Sequence, residues 1–321
     1  MPMSRAAVVV NPTKLDDDEA FRKTVRRAME DHGWDEPLWL ETTPEDTGRG
    51  QAESAVSAGA DLVLACGGDG TVTACAEGLT GTGVPLAILP LGTGNLLARN
   101  IGLPTDLDEA LAVALGPTQQ PIDAGRVNGR LFVVMAGLGL DAQMLSDASE
   151  PLKKRIGWFA YAISAARHLG DRPLRLTISA DGGRRRRMRA HALIVGNVGW
   201  LRGGLPLLPD ARPDDGMLDA VVLTPGGLAG WLAVMTRVLL RRPDQGRVYR
   251  VQFTELQVTL DQEQPWELDG EVMGPARQLT VRAQPGSLLL RMPPGSVRRR
   301  RAVRGASAAR SAVLPAAGCA S

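Results

Sequence analysis

A chain of 321 residues has room for about two domains, and a make-up of 44% apolar and 22% charged residues is that of a soluble globular protein, which excludes a fibrous or wholly disordered chain. Three cysteines (Cys66, Cys75, Cys319) form no CxxC pair and no disulfide framework, so a reduced, cytoplasmic setting is expected. The formal charge of +2 hides a division: six arginines and no acid lie beyond residue 292, and without them 31 basic residues face 35 acidic ones.

The chain opens on Ala6–Val10, a short β-branched run that Asn11 and Pro12 cut off, which reads as a strand rather than a signal peptide. An amphipathic helix is expected from about Asp17 to His32. Asp61–Ala65 predicts a second strand that runs into Gly67-Gly68-Asp69-Gly70, with a helix over Thr71–Leu79 closed by Gly81. Pro85–Leu89 predicts a third strand, ending in Pro90-Leu91-Gly92-Thr93-Gly94, and Asn95–Asn100 opens another helix. Strands alternating with helices imply a doubly wound parallel sheet, in which ligands sit beyond the carboxyl ends of the strands. All three loops fall at those ends.

From about Ile122 the pattern changes to short Val-, Leu- and Ile-rich runs: 131–136, 174–180, 190–196, 218–223, 253–260, 279–283 and 288–291. Turn signals such as Asp181-Gly182-Gly183 and Asp215-Gly216 separate them, which predicts a mainly antiparallel β-sandwich. The expected division is an α/β nucleotide-binding domain over 1–122, a β-rich domain over 123–292 whose last strands are candidates to return to the first, and a disordered Arg-rich tail over 293–321. A basic helix is expected at 152–169 and an apolar one at 228–240. The latter holds the longest apolar stretch, 13 residues interrupted by Arg237, too short to span a bilayer.

The glycine loops carry the chemistry. Consecutive glycines let several N–H groups converge beside the positive end of a helix, an arrangement that suits a phosphate. An aspartate in the middle would repel bare phosphate, so Asp69 is expected to act through Mg²⁺ or a ligand hydroxyl, or else as a helix cap. In the second loop Thr93 offers a hydroxyl and Asn95 can cap the next helix. Neither loop fits the P-loop pattern.

The ordered series Asn11-Pro12-Thr13, Gly67-Gly68-Asp69-Gly70-Thr71, Gly92-Thr93-Gly94-Asn95, Asp215-Gly216-Met217-Leu218-Asp219 and Leu268-Asp269-Gly270-Glu271 resembles the bacterial diacylglycerol kinase family, which also takes in sphingosine and ceramide kinases. The first glycine loop alone is shared with NAD kinases and resembles a phosphofructokinase loop. The resemblance implies ATP held by Asn11, Pro12, Thr13, Lys14, Thr43, Gly67, Gly68, Asp69, Gly70, Thr71, Val72, Thr73 and Thr93, with Thr42 adjoining Thr43 as an alternative. It also implies an all-oxygen Mg²⁺ position at the Asp215 carboxylate and the carbonyls of Arg212 and Met217. Glu271 would accept the proton of a lipid hydroxyl, with Asp269 organising magnesium or that hydroxyl and Asp69 as the alternative base. The implied product is phosphatidic acid from diacylglycerol. A NAD kinase-like activity and a catalytically silent lipid-binding protein are the competing readings.

Other signals carry less. Gly137-Leu138-Gly139-Leu140-Asp141-Ala142 fits a dinucleotide fingerprint but has no acid about 20 positions later. His32, His168 and His191 are isolated, and Arg184–Arg187 reads as a solvated basic turn. The basic start and three aromatics of 152–161 suit either contact with an anionic membrane surface from the cytoplasmic side or a core helix with a basic flank, and the Arg-rich tail either binds anionic lipid or is simply solvated. No nucleic-acid partner is expected. A second copy of the chain is a candidate partner.

Overall fold

The computed structural model describes residues 4–139, 173–201, 206–224 and 248–293, with Gly230 between. The helices expected at 152–169 and 228–240 (Gly230 apart), residues 140–142 of the fingerprint-like segment and the Arg-rich tail lie outside the described residues.

The first half runs β1 (Ala6–Val10), a 3-10 turn (Pro12–Lys14), α1 (Asp18–Asp31), β2 (Leu38–Glu41), α2 (Arg49–Ser57), β3 (Leu62–Gly67), α3 (Asp69–Leu79), β4 (Leu86–Pro90), α4 (Leu96–Ile101) and α5 (Leu107–Leu115). These strands pair in parallel in the order β4-β3-β1-β2. β1 and β3 are buried along their whole length, as strands covered on both faces must be, which is why they read as unbroken apolar runs. In α1 the Asp17 carboxylate accepts the Ala20 N–H, and Phe21, Val25 and Met29 bury one face at four-residue spacing. The sheet holds one more strand–helix unit than the sequence suggested, β2 with α2. Three half-buried residues and an exposed Glu41 gave β2 no pattern, and α2 begins at Gly48 without a side-chain cap.

The second half comprises β5 (Gln119–Val127), β6 (Arg130–Phe132), β7 (Met135–Leu138), β8 (Leu174–Ala180), β9 (Arg186–Ala190), β10 (Ala192–Gly196), β11 (Leu218–Leu223), β12 (Val248–Phe253), β13 (Glu255–Leu268) and β14 (Glu271–Arg291). Their mutual pairings are antiparallel. β13 belongs to two layers: residues 256–260 pair with β8, residues 266–268 pair with β7, and the register shifts between them. The layers close over a core that includes Phe132, Leu138, Leu176, Val195, Phe253, Val258 and Trp266, giving the expected sandwich-like half.

Side-chain hydrogen bonds explain where the strand boundaries depart from expectation. The run 131–136 is two strands, because the N–H groups of Val133, Val134 and Met135 turn away to the Asp269 carboxylate. The run 253–260 is divided at Thr254, whose N–H and hydroxyl, with the Glu255 N–H, go to Asp181 Oδ1. The last two runs form one strand, β14, with an irregularity between Gln284 and Leu288 where Gly286 has φ +57°. Arg186 and Arg187 are not part of a turn: the turn is Asp181–Gly183, and pairing with β8 begins at Arg186.

β14 also joins the halves. Leu290 pairs with Leu86 of β4 in parallel, and β5 flanks β14 from Gln119 to Val127. A division after residue 122 therefore falls inside β5. Ile122, Leu288 and Leu290 share one core with Val63, Ala65 and Ile88.

Candidate active site

The register places four loops side by side. Val10 pairs with both Glu41 and Cys66, and Gly67 with Pro90, so β1, β2, β3 and β4 all end along one edge. In the first loop Asn11 Oδ1 accepts the Thr13 N–H at 3.0 Å and its hydroxyl at 2.7 Å, while the Asn11 N–H donates to Cys66 O. Pro12, Thr13 and Lys14 stay exposed at that edge. After β2, Thr42 is buried and Thr43 is exposed, its hydroxyl accepting the Asp46 N–H at 3.1 Å.

The two glycine loops touch backbone to backbone. A Cβ on Gly92 would lie 2.5 Å from Gly68 Cα, and one on Gly67 would lie 2.6 Å from the Thr71 hydroxyl. Asp69 ties the loops together, with Oδ1 accepting the Leu96 N–H at 2.6 Å. Asp69 is therefore the cap of α4. Asn95, expected in that role, sits at φ +47° and turns its side chain onto its own loop. There its amide donates to Pro90 O and Gly92 O and accepts the Gly92 N–H. Thr93 is exposed at the rim. Gly92→Ala is expected to force the loops apart and weaken nucleotide binding at least about tenfold, since such backbone overlap relaxes only by shifting a loop. Titration of a fluorescent ATP analogue measures it.

Two of the residues expected to surround a nucleotide face the other way. Val72 packs in the core and donates its N–H to Gly68 O within the helix, and Thr71 is buried against Gly67. Thr73 spends its hydroxyl on Asp269 Oδ2, at 2.7 Å.

Asp269 and Gly270 form a two-residue turn between the paired residues Leu268 and Glu271, with φ +47° and +93°. Positive φ at both positions is what a type I′ hairpin turn needs, and Asp-Gly meets it. The carboxylate of the half-buried Asp269 accepts four hydrogen bonds: Val134 and Met135 N–H at Oδ1, Val133 N–H and the Thr73 hydroxyl at Oδ2. Burial pushes its pKa up and those donors pull it back, burial prevailing. So occupied, Asp269 holds the hairpin onto α3 and is not placed to organise magnesium or a substrate hydroxyl, the role the resemblance implied.

Glu271 is exposed just past the turn. A Cβ on Gly70 would lie 3.6 Å from Glu271 Oε1, so this carboxylate stands over the first turn of α3. Beside it a cavity of about 460 Å³ opens between α2, α3 and the hairpin, lined among others by Asp46, Arg49, Thr73, Glu77, Arg130 and Glu271. Arg49 pairs with Glu53 at 2.9 Å and with Glu77 at 3.5 Å. This α2 wall and the Val133–Met135 N–H groups gave no sequence signal, since both depend on a fold partner.

The Asp215 turn lies elsewhere, against the irregularity near the other end of β14. Asp123 fixes it by accepting the Gly216 and Gly286 N–H groups, each at 2.7 Å. Asp215 Oδ1 accepts the Met217 N–H and Oδ2 the Gln252 amide. Among the described residues no three His, Cys, Asp or Glu side chains converge on one point as metal ligands. Burial, then Asp215 and Asp210, push the Asp219 carboxyl from 3.8 up to about 7. Because this pKa is raised, the folded protein binds the proton more tightly, so the contribution is present at low pH and lost as pH rises from about 4 to about 7. Without divalent cations, stability is expected to fall across that range, and Asp219→Asn to recover up to ~4 kcal/mol at pH 8. Urea titrations in EDTA at pH 5 and pH 8 measure it.

Comparison with known proteins agrees with this architecture. Residues 5–127 match the family model described as diacylglycerol kinase catalytic domain, and residues 133–292 match the YegS C-terminal NAD kinase beta sandwich-like domain. A Pseudomonas aeruginosa protein named "Probable lipid kinase YegS-like" is 36% identical over 253 residues, covering 76% of this chain and 80% of that protein. The diacylglycerol kinase of Bacillus subtilis is 30% identical over 281 residues, covering 85% and 91%. The crystal structure of a diacylglycerol kinase from Bacillus anthracis shares the fold, with TM-score 0.71 and 21% identity over 92% of this chain and 99% of that one. An Archaeoglobus fulgidus NAD kinase structure is more distant, at TM-score 0.50 and 14% identity. Fold and site together are those of a kinase. The chain belongs to the diacylglycerol kinase-like family of lipid kinases.

Proposed function

We propose that this enzyme transfers the γ-phosphoryl group of ATP to the hydroxyl of diacylglycerol, giving phosphatidic acid and ADP. The observation that carries the reading is the Glu271 carboxylate standing over the first turn of α3, brought there by the Asp269–Thr73 bond. The N-terminus of α3, which begins beside the touching glycine backbones, offers backbone N–H groups to a triphosphate. Thr13, Lys14, Thr43 and Thr93 supply exposed polar groups along the same edge, with Asn11 half-buried beside them. Glu271 takes the proton of the acceptor hydroxyl as its oxygen bonds to the γ-phosphorus, and the bond from that phosphorus to the β–γ bridging oxygen breaks.

Mg²⁺, bound with the nucleotide, would supply neutralisation of the charge that develops on the phosphates. At the Asp215 turn the donor chemistry also fits a hard cation: the ligands are oxygens, and Asp219 Oδ2 is buried without a hydrogen-bond partner. There Asp215, with the Arg212 and Met217 carbonyls, would hold an ion that offsets the aspartate cluster. That place lies toward the other end of β14 from Glu271, which suits a structural ion rather than a catalytic one.

The test is purified protein with labelled ATP, Mg²⁺, dispersed diacylglycerol, sphingosine and ceramide, and NAD. Label in phosphatidic acid is the expected result. Label in NAD alone, or in no acceptor, would overturn the proposal.

A further inference from the structure

We propose that the outer face of the β8–β9 hairpin docks this protein on an anionic phospholipid surface. Six arginines lie in the fifteen residues from Arg175 to Arg189 (175, 184, 185, 186, 187 and 189), with Asp181 the one acid among them. The carboxylate of Asp181 is taken up by Thr254 and Glu255.

Pairing between β8 and β9 converts this run into a surface. Leu176 and Ile178 of β8 and Ala190 of β9 face the core, which turns Arg175, Arg187 and Arg189 to the outside. Arg175 lies directly across from Arg189, and Arg187 across from Thr177. A like-charged pair facing across an antiparallel ladder is unfavourable by itself. An anion between the two offsets that repulsion.

Little within the described residues neutralises the patch. Among the described residues Arg187 makes the one ion pair of the six, to Asp261 at 3.4 Å, and 76% of its side chain stays exposed. A contact that open adds little. Between Arg175 and Arg189 is a concavity of about 500 Å³ that also takes in Gln262, Gln264 and Asp261. It can admit a phosphate head group, with Asp261 as the opposing charge on its rim. The neighbouring outward positions are Thr177, Ser179 and Gln257, small or neutral groups that let the face lie flat.

A membrane fits these features better than a nucleic acid. Strand binding draws on exposed aromatic rings as stacking platforms. Here the nearest ring, Tyr249, is covered by the Arg186 guanidinium at 5.0 Å. The proposal also rests on the reading that the acceptor is a lipid, which requires the protein to work at a bilayer.

The experiment is co-sedimentation of the full chain, without nucleotide, with phosphatidylcholine vesicles lacking or containing phosphatidylglycerol. The parent is expected to bind the anionic vesicles and to be released by salt. Replacing Arg175, Arg187 and Arg189 together by Gln is expected to lower partitioning about a hundredfold, since each basic residue at such a surface contributes severalfold. Arg189→Glu is a second variant that protects folding: it gives Arg175 an ion-pair partner, so stability should hold or rise while vesicle binding falls. Unchanged binding in both variants, or no binding by the parent, overturns the proposal. So does loss of binding to a DNA duplex with vesicle binding intact. The reading involves no catalysis, so a chain that binds vesicles through this face but phosphorylates no lipid would overturn the proposed activity alone.

Discussion

Glu271→Gln is expected to fold as the parent does and to lose turnover by about 10³-fold, the range a positioned proton acceptor contributes. The carboxylate is exposed and makes no hydrogen bond or ion pair among the described residues, so the amide leaves no buried partner stranded. Its effect on stability should stay within about 0.5 kcal/mol, as for other surface changes. Removing the base should act on the chemical step, so kcat should fall while the KM for ATP stays near the parent value. Steady-state rates with labelled ATP, together with a thermal melt, measure both quantities. Full turnover in the variant would transfer the role to Asp69, which opens α3 but already caps α4.

Asp269→Asn is expected to act in the opposite way, on stability first. Asparagine tolerates φ +47°, so the turn itself survives. An amide, however, can present only one oxygen. The Thr73 hydroxyl can reverse and accept from the new NH₂, whereas the Val133 N–H at the same position cannot. One buried N–H is then left facing a donor, and the others lose a charged acceptor. The cost is about 3 kcal/mol, which corresponds to a fall in Tm of roughly 6 °C for a chain of this size. Because Glu271 follows two residues later, kcat should drop as well, by about tenfold if the carboxylate moves 1 Å off its position. Differential scanning calorimetry and kcat measurements on folded protein separate the two effects. Parent stability in Asp269→Asn would remove the four-bond clamp from this account.

The parts of this molecule that could be read from the sequence are those whose cause is local. A glycine loop at a strand end states its own requirement, because only glycine lets two backbones come as close as Gly68 and Gly92 do. Asp-Gly before Glu271 likewise announces a tight hairpin. The hidden parts depend on partners far along the chain. Asp269 reads as a catalytic carboxylate until its donors at 133–135 are brought beside it. Asp69 takes the capping role expected of Asn95 because two loops, 27 residues apart, meet. The arginines at 184–187 read as a solvated turn because nothing in their own order reveals that Arg175 lies across from Arg189.

One strand sets the order in which this protein can mature. β14 begins at Glu271 beside the glycine loops and ends with Leu290 against Leu86 of β4. During synthesis the parallel sheet is therefore exported from the ribosome well before the strand that covers its β4 edge exists. The N-terminal half must wait as an open edge with part of its core exposed, and the pairing that closes it spans most of the chain, a separation that slows folding. Chaperone attachment to nascent chains that stop short of residue 288 follows from this, as does complete loss of the fold when β14 is deleted. Glu271, the proposed base, and the closing strand are the same element, so on that reading the kinase gains its activity and its folded state in one step.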